Sequence, residues 1–181
     1  EMGSIQELTD KIAIFYSDRF LITIHKTEIS FLKVLANKVS GEQNCSSSSE
    51  MLTKIVWNAL ETFNQPAGRL AEQVDFYESK VMLKKTKRDL TGALYYIKRE
   101  ALLSYKVLTL MMEPIHHIYI KTGEEAYLQD VKDQHLKMLT LYSGLIEEVN
   151  NLVNLSLSFA SHRTSEVMRV LTIFSVFFMP L

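Results

Sequence analysis

Residues 124–181 read "EEAYLQDVKDQHLKMLTLYSGLIEEVNNLVNLSLSFASHRTSEVMRVLTIFSVFFMPL", and the fold turns on how this stretch is built. It has no proline before Pro180 and no glycine except Gly144. The spacing predicts one helix of 58 residues, about 87 Å long at a rise of about 1.5 Å per residue. No globular core of this size needs such a rod, so it serves as a stalk, a coiled coil or a strut entering a membrane. Leu128, Val131, His135, Met138, Tyr142, Leu145, Val149, Leu152, Ser156 and Phe159 follow alternating steps of three and four. That is a heptad seam, which needs helices packed alongside it. A second stripe of Leu139, Ile146, Val153 and Leu157 widens the apolar face. Packing on the chain's own preceding helices and packing on copies of itself are both open for the first half. Below Phe159 little of the chain remains to cover the helix, and self-packing is expected.

The last part of this rod poses its own question. From Val170 to Leu181 only Thr172 and Ser175 interrupt apolar side chains, and no charge appears. A bilayer core needs roughly 20 such residues, so about 12 do not cross it alone. Either a short core helix ends at Leu181 or a longer membrane helix continues past it. His162, Arg163 and Arg169 flank this segment, and positive charge beside a membrane helix marks the cytoplasmic side.

Working outward, "KIAIFYS" (11–17) and "FLITIH" (20–25) are β-rich runs joined by "DR", and they read as a hairpin. Two strands do not make a stable sheet unaided. Completion by residues upstream of Glu1 or by another chain is therefore expected. Thr27 is placed to cap a helix over "FLKVLANKV", and "SGEQNCSSSSE" (40–50) reads as the clearest linker. "EMLTKIVWNALETF" is amphipathic, with a break expected at Pro66 and Gly68; further helices are expected from about Arg69 to Lys87 and from about Asp89 to Met112. Pro114 and "KTGEE" should then separate these from the rod. The fold class is α+β: a partial sheet, long antiparallel helices and a very long final helix.

Composition narrows the function. Apolar residues at 47% and charged residues at 23% of 181 describe a folded chain, and the net charge of −1 offers no field for nucleic acid. The single Cys45 excludes an intrachain disulfide and fits a reducing compartment. No basic segment followed by an apolar one opens the chain, so no secretory signal is expected. No phosphate-binding glycine motif, nucleophile elbow or paired catalytic carboxylate is visible, so the chain is not expected to be an enzyme. His25, His116, His117, His135 and His162 contain no i, i+4 pair, which argues against a zinc site on one helix. Lys80, Lys84, Lys85, Lys87 and Arg88 form a basic cluster that reads first as a charged helix end, with phosphate contact as the other reading.

The closing "EVMRVLTIFSVFFMPL" resembles the junction of stalk and first membrane helix in CorA-type magnesium channels, where "EVMxVLTIxxxxFxPL" leads into "TFIAGIYGMN". Glu166, Val167, Met168, Val170, Leu171, Thr172, Ile173, Phe178, Pro180 and Leu181 match. "RFLITIHKTE" (19–28) resembles the family's strand-turn signature, and the helices between follow the family's order. The resemblance implies a homopentamer in a plasma (inner) membrane, entered through the C-terminal helix, with this portion on the cytoplasmic side and the Gly-Met-Asn motif beyond Leu181. It divides the chain into the end of a cytoplasmic α/β domain (1–48), a helical arm (49–123), a stalk (124–168) and the start of a membrane helix (169–181). Pore-facing positions would be Ser165, Met168, Leu171 or Thr172, Ser175 and Met179, whose spacing independently keeps them on one face. Ser165 stands where the family often has Asn, and its shorter hydroxyl leaves a wider ring. Regulatory Mg²⁺ would be held by Asp130, with Asp133 one turn along, facing a partner acid upstream of Glu1. Mg²⁺ is the implied cargo, with Co²⁺, Ni²⁺ or Zn²⁺ open. A zinc transporter of the same superfamily and a non-transporting coiled-coil scaffold are the alternatives.

Overall fold

In the computed structural model, residues 9–41, 47–83, 90–119 and 125–178 are described. Two strands, β1 (Ile12–Ser17) and β2 (Phe20–His25), precede five helices: α1 (Ser30–Gly41), α2 (Ser48–Glu61), α3 (Asn64–Met82), α4 (Leu90–His116) and α5 (Glu125–Phe178). The chain forms two compact units, one of residues 1–68 with 102–143, the other of 69–101 with 144–181.

In the first unit the strands pair antiparallel, Ile12 opposite His25 through Ser17 opposite Phe20, across the two-residue Asp18–Arg19 turn. Side chains alternate across a strand, so the hairpin has two faces. Ile12, Ile14, Leu21 and Thr23 are half-buried, while Phe15, Phe20, Ile22 and Ile24 are exposed. The hairpin touches α2, and the Ser48 hydroxyl donates to the Ser17 carbonyl at 2.5 Å. The exposed face of the hairpin is therefore apolar as well.

Several helix ends depart from expectation for local reasons. Helix α1 starts at Ser30, with Ile29 oxygen accepting from Lys33 nitrogen at 3.3 Å. Thr27 lies outside it and accepts a bond from the His25 ring at 2.6 Å through its carbonyl, so it does not cap the helix. Ser47 caps α2, its hydroxyl accepting from Glu50 nitrogen at 3.0 Å from an extended backbone. Residues 48–50, expected as linker, are thus the first turn of α2; Cys45 lies outside the described residues. The break before α3 falls at Thr62–Phe63 rather than at Pro66. Pro66 sits in the first turn of α3, where its missing N–H would have no helical partner anyway. Likewise α4 does not stop at Met112 but runs past Pro114 to His116. A proline this close to a helix end removes only one bond of the last turns.

The core of the first unit gathers Leu52, Ile55 and Leu60 of α2 with Leu108 and Ile115 of α4 and Val131, Met138 and Tyr142 of α5. Three polar contacts fasten α5 there. Gln134 donates to Glu61 at 2.6 Å, and the Tyr142 hydroxyl donates to the Phe63 carbonyl at 2.9 Å. His135 Nε2 lies 2.7 Å from the Leu108 carbonyl; a carbonyl only accepts, so Nε2 carries the proton.

In the second unit α3 contributes Leu70, Val74 and Val81, α4 contributes Leu90, Leu94, Ile97 and Ala101, and α5 contributes Leu145, Val149 and Leu152. Steps of three and four on these helices are what side-by-side packing requires. Arg69 of α3 pairs with Glu100 of α4 at 2.5 Å.

Candidate functional site

Helix α5 carries the candidate site, and its two faces differ sharply. At 54 residues it is about 81 Å long. The seam is buried at Val131, His135, Met138, Tyr142, Leu145, Val149 and Leu152, then ends; Ser156 is half-buried and every residue from Leu157 to Phe178 is exposed. The second stripe follows suit, with Leu139, Ile146 and Val153 half-buried and Leu157 exposed. Above Leu152, then, the chain covers the seam with its own helices. Below it, a helix whose last stretch is rich in Val, Leu, Ile and Phe stands uncovered.

Ser165, Met168, Leu171, Thr172 and Ser175 all lie on that exposed length; Met179 lies outside the described residues. Successive residues advance by about 100° around a helix, so Ser165, Met168, Thr172 and Ser175 fall within about 80° of one another, with Leu171 at the margin. Thr172 donates to Met168 oxygen at 2.8 Å and Ser175 to Leu171 oxygen at 2.9 Å. Each hydroxyl proton is committed to the helix itself. The lone pairs are what these groups can offer outward, and lone pairs suit the hydrogens of a hydrated cation.

Asp130 and Asp133 are exposed near the start of α5, and Asp133 accepts from Gln129 at 2.8 Å. Thirty-two positions of sequence separate Asp133, in the first unit, from Ser165, in the second. Among the described residues no group of three or more His, Cys, Asp or Glu converges on one point. The His25, His117 and His135 rings bond backbone carbonyls, and His162 lies 3.8 Å from Glu166. Of the basic cluster, Lys80 sits 4.0 Å above the Phe76 ring, while Lys84, Lys85, Lys87 and Arg88 lie outside the described residues. No described helix is long and apolar enough to cross a membrane.

One feature was legible in the sequence but hidden beside the more obvious apolar seam. Glu147, Asn151, Asn154, Ser158 and Ser161 lead into Ser165 in steps of four and three, and all are exposed. They occupy the side of α5 facing away from Leu145, Val149 and Leu152.

A family described as CorA-like Mg2+ transporter protein matches residues 2–181. The cobalt/magnesium transport protein CorA of Thermotoga maritima is similar at 26% identity over 119 residues, covering 62% of this chain and 34% of that protein. The matched stretch thus spans about a third of the length of that relative.

Proposed function

Because the chain belongs to the CorA-like Mg²⁺ transporter family, one of transporters and not of enzymes, we propose that it is the cytoplasmic part of a homopentameric divalent-cation channel. In this reading α5 is the stalk. Its buried seam holds it to its own subunit, its polar face turns to the fivefold axis, and its apolar end begins the membrane helix. The observation that carries the reading is the division of α5 into these zones: covered by its own chain to Leu152, bare from Leu157 onward, with a polar face opposite the seam.

Mg²⁺ holds its waters tightly and gives them up reluctantly. Rings of Ser165, Thr172 and Ser175 would accept hydrogen bonds from those waters, while rings of Met168, Leu171 and Met179 would form a constriction that gates by dewetting. The name of the Thermotoga maritima relative suggests Co²⁺ as a second cargo. Asp130 and Asp133 would sense cytosolic Mg²⁺ at a subunit boundary. Carboxylates gathered from neighbouring subunits repel; a bound cation relieves the repulsion and holds the subunits closed, and its loss lets them splay.

The test is to reconstitute the full-length protein in liposomes, measure its mass in detergent and follow Mg²⁺ entry. A fivefold assembly with Mg²⁺ entry supports the reading. A soluble dimer without ion flux would replace it with the coiled-coil scaffold.

A further inference from the structure

We draw no further inference here: the strongest candidate, the exposed apolar patch at the end of α3 formed by Phe76, Met82 and Leu83, carries nothing, because nothing in the structure shows what covers it.

Discussion

Replacing Val149 by Ala tests whether the seam of α5 is held by its own chain. Val149 is fully buried in the second unit, between Leu145 and Leu152. The change deletes two methyl groups, worth about 0.8 kcal/mol each in transfer from water. The unfilled space adds roughly 1 kcal/mol, since a packed core relaxes only partly around a lost methyl. Against this, Ala is the better helix former by about 0.6 kcal/mol. The net expected loss is about 2 kcal/mol. Urea unfolding of residues 1–181 followed by circular dichroism reads this as a lower midpoint at an unchanged slope. The companion Asn151→Ala, two residues along but exposed, should stay within about 0.5 kcal/mol of wild type. Covering by the same chain also requires both values to be independent of protein concentration. A loss for Val149→Ala below about 0.5 kcal/mol, or one that grows on dilution, would refute the packing argument.

Three further outcomes are expected. Ser47→Ala should cost about 1 kcal/mol of stability by thermal or urea unfolding, through loss of the bond to Glu50 nitrogen, whereas Ser47→Asp should retain most of it. His135→Ala should cost about 2–4 kcal/mol through lost packing and the lost bond to Leu108, with His135→Leu recovering more than half because it fills the space. Asp130→Asn together with Asp133→Asn should weaken Mg²⁺-dependent protection of the full-length protein from trypsin, shifting the protecting concentration upward at least threefold. An unshifted midpoint would remove these residues from the sensing role.

The sequence announced the elements that rest on long repeating patterns. The hairpin lay in two β-rich runs with a two-residue join, and α5 lay in its seam and its lack of Pro and Gly. The places where the reading slipped were single-residue decisions. Pro66 and Pro114 looked like boundaries, yet a proline in the first or last turn of a helix forfeits little, so α3 starts before one and α4 ends after the other. Four consecutive serines looked like linker, but a serine followed three residues later by Glu50 is also a helix start, and the cap won. For the site, the spacing of Ser165, Met168, Thr172 and Ser175 was readable because a helix converts spacing into direction. The end of burial on α5 comes at Leu152, one turn or two before the Phe159 that the seam suggests, since it depends on how far α3 and α4 reach along the helix.

The bare length from Leu157 to Phe178, about 33 Å of helix, has a consequence for how order is distributed. A lone helix of this length in water is only marginally stable, because its nucleus is costly and no tertiary contact repays it. Backbone amides there should exchange with deuterated solvent within seconds in the isolated chain, while those around Val149 hold for hours. In lipid and among its copies the same amides should become slow. The exchange rate of this one segment therefore serves as a readout of assembly, at residues that belong to no core of their own.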